Sequence, residues 1–247
     1  MLDIVFINPG DRKAVFQNLG KDLTAIEPPF QIASYAGFLR NEGFNVAIID
    51  ANAENISPEE TAQKVKVLNP ILVAVIVYGN QPSASTQNMS IAGRIVTAIE
   101  QLKAPKVVLG GLHASALPQR TLEEENADFI IEGEEQLPLK ELIKCLKSDN
   151  DFSKVSGLWY IQDEHIKHNP KPALINNLDK YLPMAAWDLL PMQKYRAHNW
   201  HCFDDIENRM PYGAIYTSLG CPYKCTFCCI MLLLVAQVFD IDLLSLL

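Results

Sequence analysis

Short aliphatic runs alternate with stretches of helical period along the first 150 positions of this chain. Leu2–Ile7 is an apolar run closed by Asn8-Pro9-Gly10, the pattern of a buried strand passing into a loop. Pro28-Pro29 opens a helix with Ile32, Ala33, Tyr35, Ala36 and Leu39 on one side, stopped at Asn41-Glu42-Gly43. Val46–Ile49 reads as the second strand, with Asp50 at its end, and Pro58 starts a helix whose Ala62, Val65 and Leu68 share a face. Ile71–Val77 is the third strand, followed by a helix from Gln87 to Gln101, a strand Lys106–Leu109 and a Gly110-Gly111 turn. A short helix near Thr121–Glu125, a strand Phe129–Ile131 and a helix Leu137–Leu146 complete the series.

Five such units with nearly all-apolar strands predict an α/β domain over residues 1–148. Its sheet should be Rossmann-like (flavodoxin-like), doubly wound, parallel and five-stranded, and covered by helices on both faces. Sheets of this kind bind ligands beyond the carboxyl ends of their strands. The loops there are Asn8–Asp11, Asp50–Ala53, Tyr78–Ser85, Gly110–Ser115 and Glu132–Glu135. They offer Asn8, Tyr78, Asn80, Gly110, Gly111, His113, Ser115 and Glu132 as cofactor-binding candidates, the glycines because they let backbone approach a ligand closely. His113 is equally suited to a loop carbonyl, whereas for Glu132 and Glu134 capping the next helix or a solvated charge is the commoner fate. Neither G-x-G-x-x-G nor G-x-x-x-x-G-K-[ST] occurs, which removes support for a dinucleotide site and a P-loop. A flavin mononucleotide protein stays open as a weaker alternative.

Residues 149–205 read as a linker with a small hairpin, Gly157–Gln162 against His165–Asn169. Prolines punctuate the rest of the linker, and Trp187, Tyr195 and Trp200 are placed to pack it onto a domain. His198, His201 and Cys202 lack a fourth metal ligand nearby. In residues 206–247 a β-rich run, Ala214 to Ser218, leads into Cys221, Cys225 and Cys228, spaced C-x3-C-x2-C. Three thiolates this close can hold a cubane iron–sulfur cluster with one iron left open, as a catalytic site requires. A zinc site completed by Cys229 or Cys202 is the competing reading.

Composition adds limits. Lys+Arg 21 against Asp+Glu 29 gives a net charge of −8, which offers nothing to a nucleic-acid partner. The start lacks a basic, apolar signal peptide, so clustered cysteines point to a reducing, cytoplasmic setting rather than to disulfides. The run Ile230 to Phe239 is too short to be a membrane span.

With its Gly-Cys-Pro opening and with Phe227 before the last cysteine, the cysteine stretch resembles the radical S-adenosylmethionine (SAM) enzymes. The preceding domain resembles the cobalamin-binding domain of their B12-dependent members. That likeness rests on Pro28-Pro29, on Gly110 to Ser115 and on Ala127 to Glu134. The resemblance implies a [4Fe-4S] cluster on Cys221, Cys225 and Cys228, with SAM on the open iron and Phe227 beside it. It also implies cobalamin at the sheet edge and an electron donor such as flavodoxin or ferredoxin. The implied reaction is reductive cleavage of SAM for methyl transfer to, or rearrangement of, an unactivated carbon in a small-molecule substrate. Cobalamin domains of the methionine synthase and mutase type carry D-x-H-x-x-G after the first strand, whereas here that loop, Asn8 to Lys13, has no histidine. Only 19 residues follow Cys228. That length predicts the first strand and cluster loop of an incomplete β/α barrel, a chain too short to be active, and a premature stop or frameshift near residue 230. The alternative is a corrinoid- or small-ligand-binding module without catalysis.

Overall fold

The computed structural model describes residues 2–12, 24–79, 82–103, 105–175, 177–182, 184–199, 205–216, 218–220, 223 and 239–240. Strands β1 (Ile4–Asn8), β2 (Val46–Asp50), β3 (Leu72–Val77), β4 (Lys106–Gly111) and β5 (Phe129–Ile131) are parallel neighbours in the order β2-β1-β3-β4-β5. Their side chains alternate between two cores. Ile4, Phe6, Ala74 and Ile76 pack on one face with helices α1 (Phe30–Asn41) and α7 (Gln136–Lys147). Val5, Ile7, Val73 and Val75 pack on the other with α3 (Pro58–Leu68) and α4 (Pro82–Glu100). A strand buried on both faces needs no polar side, which is why these runs are apolar along their buried length. Each Val, Ile or Phe side chain taken fully out of water contributes about 1.5–3 kcal/mol.

The sheet has seven strands rather than five. The hairpin expected in the linker, β6 (Leu158–Gln162) and β7 (His165–His168), continues it antiparallel, with Ile130 opposite Trp159 and Tyr160 opposite Lys167. Strand β5 is short and wholly buried, so its outer edge needs cover; Leu158 and Tyr160 supply it by joining the α1–α7 core. Residues 184–199 also lie on the domain instead of standing off it. The amide of Ala186 donates to the Ala33 carbonyl at 2.9 Å, and a Cβ on Gly37 would meet the Met184 carbonyl at 2.4 Å. Tyr195 is completely buried.

Smaller departures have local causes. Gly110 and Gly111 end β4 and do not form a free turn, and two helices follow at once, α5 (Leu112–Ala116) and α6 (Pro118–Glu124). A four-residue helix, α2 (Ala51–Glu54), starts directly after β2 because the Asp50 side chain accepts the Ala53 amide as an N-cap. Residues 214–216 carry no strand; the pairing described beyond them is Ser218–Leu219 with Phe239–Asp240. Cys221, Cys225, Phe227 and Cys228 lie outside the described residues.

Gly111 has φ +108° and ψ −178°, a region open essentially to glycine alone, and a Cβ there would sit 2.2 Å from the Val77 carbonyl oxygen. Gly111→Ala should therefore cost about 2 kcal/mol or more in urea unfolding. A loss indistinguishable from zero would contradict the close β3–β4 approach.

Candidate functional site

The chain crosses from β2 to β3 over β1, so the strand order reverses between β1 and β3. Ligands enter doubly wound sheets at such a point, and a cavity of about 500 Å3 opens there. Asn8 at the end of β1 and Tyr78 after β3 line it. One wall is the rigid entry to α1, Pro28, Pro29 and Phe30; Asn52 and Asn88 add amides, and Tyr216 closes in from beyond the linker. The Tyr216 ring meets Phe30 edge-on at 5.3 Å between centroids.

Two buried carboxylates support this cavity. Asp50, 1% exposed, accepts the Asn8 Nδ2 amide at 2.9 Å, the Ala53 backbone N–H at 2.9 Å and the Tyr195 hydroxyl at 2.7 Å. Burial raises its pKa above the usual carboxylate range, against the pull of those three donors. Glu135, wholly buried, accepts the Tyr35 hydroxyl at 2.8 Å, the Tyr78 hydroxyl at 2.9 Å and the Gly111 N–H at 2.8 Å. Its desolvation outweighs these bonds and pushes its pKa up to about 7. Burial, reinforced by the Glu135 charge, raises both tyrosines well above the phenol range, so both hydroxyls keep their protons.

The other residues singled out from sequence lie along the same edge, toward β4 and β5, and most hold loops in place. A Cβ on Gly110 would come within 3.1 Å of Glu135, so that glycine makes room for the carboxylate. His113 donates its N–H to Ser85 Oγ at 3.1 Å, and its Nδ1 lies 3.0 Å from Thr86 Oγ1; burial, then Arg120, lower its pKa. Ser115 Oγ accepts the Gly133 N–H at 3.0 Å. Glu132 accepts the Trp159 indole N–H at 2.8 Å and pairs with Lys171 at 2.9 Å. Glu134 accepts the Ile175 N–H at 2.9 Å, so neither acid caps a helix with its side chain. Asn80, like the cysteines and Phe227, lies outside the described residues. Sequence reasoning missed Glu135, and it assigned Tyr35 only to the apolar side of its helix. Their one visible signal was position: Glu135 ends a carboxyl-edge loop.

The cavity suits a ligand with an apolar face and a hydrogen-bonding rim, since proline and phenylalanine stand beside asparagine amides. Among the described residues no group of three or more His, Cys, Asp or Glu could hold a metal ion, and no helix is long and apolar enough to cross a membrane.

Known proteins resemble this chain in sequence and fold. The family model described as the B12 binding domain matches residues 19–143, just over half of the chain. An uncharacterized methyltransferase of Pyrococcus horikoshii is 29% identical over 230 residues, covering 92% of this chain and 45% of the relative. The anaerobic magnesium-protoporphyrin IX monomethyl ester cyclase of Cereibacter sphaeroides is 26% identical over 230 residues, covering 91% and 34%. Among solved structures, the cobalamin-dependent S-adenosylmethionine radical enzyme OxsB, with aqua-cobalamin and S-adenosylmethionine bound, shares the fold. Its TM-score is 0.68 at 20% identity, over 92% of this chain and 28% of that one. The chain spans less than half the length of these relatives.

Glu135 makes stability depend on pH. Its pKa is raised on folding, so its contribution is fully present below about pH 4.5 and is lost as pH rises through about 7. A Glu135→Gln variant lacks that loss. Wild type should therefore fall relative to the variant by up to about 3 kcal/mol between pH 4.5 and 8, as followed by urea unfolding at each pH. Parallel curves would place the carboxylate in water instead.

Proposed function

The chain belongs to the B12 binding domain family, and from that membership we propose that it holds cobalamin over the carboxyl edge of its sheet as the corrinoid-binding part of a radical SAM enzyme. The observation carrying this reading is the cavity at the β1–β3 switch point. Its proline–phenylalanine wall fits the apolar face of a macrocycle, and its asparagines fit an amide-bearing rim. Bound cobalamin would supply a carrier for a methyl group.

Three thiolates, Cys221, Cys225 and Cys228, would hold a [4Fe-4S] cluster, with Phe227 alongside. That cluster and SAM on its open iron would supply one-electron cleavage of SAM, with a flavodoxin or ferredoxin as donor. The thiols require a reducing, cytoplasmic setting. The protein's own share is placement: Pro28, Pro29 and Phe30 exclude water from one side of the cavity. Tyr216, which lines the same cavity, stands five residues before Cys221 and so joins the corrinoid wall to the cysteine stretch. His113, Ser115, Gly110, Gly111 and Glu132, along the neighbouring strand ends, would hold the surrounding loops in the shape the ligand meets, and Asn80 is kept as a cofactor-binding candidate from its place in the sequence. Methyl transfer to, or rearrangement of, an unactivated carbon is the reaction class, consistent with relatives named as a methyltransferase and a cyclase.

Two measurements test this. Aquacobalamin titrated into the purified chain should co-elute with it and shift its visible spectrum, and no change at high micromolar ligand would rule the corrinoid reading out. After anaerobic reconstitution wild type should carry about four irons per chain with matching sulfide. Cys225→Ala should lose most of that iron; unchanged iron content would remove the cluster assignment.

A further inference from the structure

Beyond the end of β1 the loop carries a cation, Arg12, that no described residue satisfies. Its side chain is half-buried, and its Nε is closed off from solvent with no hydrogen-bond acceptor among the described residues. No ion pair joins its guanidinium to a described carboxylate. Burial lowers its pKa, and the charge of nearby Asp50 opposes that. Asp50 is nonetheless taken up elsewhere: its Oδ1 accepts Asn8 Nδ2 and the Ala53 N–H, and its Oδ2 accepts the Tyr195 hydroxyl. Asp11, the carboxylate next to Arg12 in the chain, faces Arg94 at 3.9 Å.

The position of this cation is tied to the cavity. Pro9 and Asn52 both line it, and the loop between Pro9 and Arg12 is pressed against α2, since a Cβ on Gly10 would meet the Asn52 side chain at 2.4 Å. Arg12 itself is not part of the lining; it stands beside the Asn8 end, within electrostatic reach of the acid that holds Asn8. A guanidinium keeps its charge in a protein, and an N–H removed from water without an acceptor is costly. A group left in that state calls for an explanation, and an anionic ligand supplies one. A phosphate matches the planar fork of arginine through two parallel hydrogen bonds.

Cobalamin offers one such group. Its ring periphery carries neutral carboxamides, and the phosphodiester that joins the ring to its nucleotide is the only anion outside the cobalt–corrin core. Resting on the corrinoid reading, we infer that Arg12 is a cofactor-binding residue whose guanidinium takes this phosphate, so that the nucleotide arm leaves the ring at the Asn8 side of the cavity, next to α2.

The test compares two corrinoids that differ only in the phosphate: diaquacobinamide, which lacks phosphate and nucleotide, and its phosphate ester. Dissociation constants are read from spectral titration at fixed pH and salt, with aquacobalamin as the reference. Wild type should bind the ester about tenfold or more tightly than diaquacobinamide. Arg12→Gln should reduce that advantage to about threefold or less and weaken aquacobalamin alike, while diaquacobinamide binds as it does to wild type. Arg12→Lys, which keeps the charge and loses the fork, should retain part of the advantage. Because the guanidinium has no described partner to lose, Arg12→Gln should leave the urea midpoint of the free protein unchanged or raised. A lowered midpoint would reveal a structural partner and overturn the inference. So would a wild type that does not distinguish the two corrinoids, an advantage that survives Arg12→Gln, or an equal weakening of both. If aquacobalamin fails to bind wild type, the corrinoid reading falls and this inference with it; binding that ignores the phosphate overturns the inference alone.

Discussion

Glu135 takes hydrogen bonds from three separate pieces of chain: Tyr35 on α1, Tyr78 beyond β3, and the backbone of Gly111 at the end of β4. A carboxyl group without water is costly unless its partners are fixed in place. Here the partners are fixed by the sheet, and they in turn fix the edge. A side chain on Gly111 would collide with the β3 backbone, and one on Gly110 would crowd Ile76 and Glu135. Tyr78 is thereby locked as a cavity wall. The same arrangement recurs one strand pair away, where Asp50 ties Asn8, the first turn of α2 and Tyr195 together.

Much of the frame was legible in the sequence because strands buried on both faces leave aliphatic runs that little else imitates. Phe129–Ile131 was read to the residue, and the five carboxyl-end loops were identified by position. The hairpin was visible as a hairpin, but nothing in the alternation of Leu158 to Gln162 says which edge it joins; that is decided by the exposed side of β5. Glu135 was invisible for a different reason. A buried acid and a solvated one look alike in sequence, and the tyrosines that bury this one lie 100 and 57 positions away. Gly110-Gly111 was read as ligand-approaching backbone; in the structure a Cβ on Gly111 would also strike the β3 backbone, and one on Gly110 would crowd Ile76 and Glu135.

Residues 184–199 show how an apparent linker becomes part of the site. Tyr195 is buried against Asp50, Arg196 bridges to Ile26 just ahead of the Pro28 wall, and Arg40 holds Asp188 through two 3.0 Å bonds. The last pair is exposed and contributes little to stability. Burial of Tyr195 holds this segment instead, so the path from the sheet toward the cysteine stretch runs along the cavity rather than away from it.

Strand β7 gives the sheet an outer rim of His165, Lys167 and His168, all exposed. A short, charged border strand is a poor template for pairing with another molecule, whereas β5, apolar on every residue, would be an inviting one. The hairpin thus protects the molecule against its own neighbours. A fragment cut after Asp149, at the end of the part that reads as a complete α/β domain, would bare the β5 edge and self-associate through it.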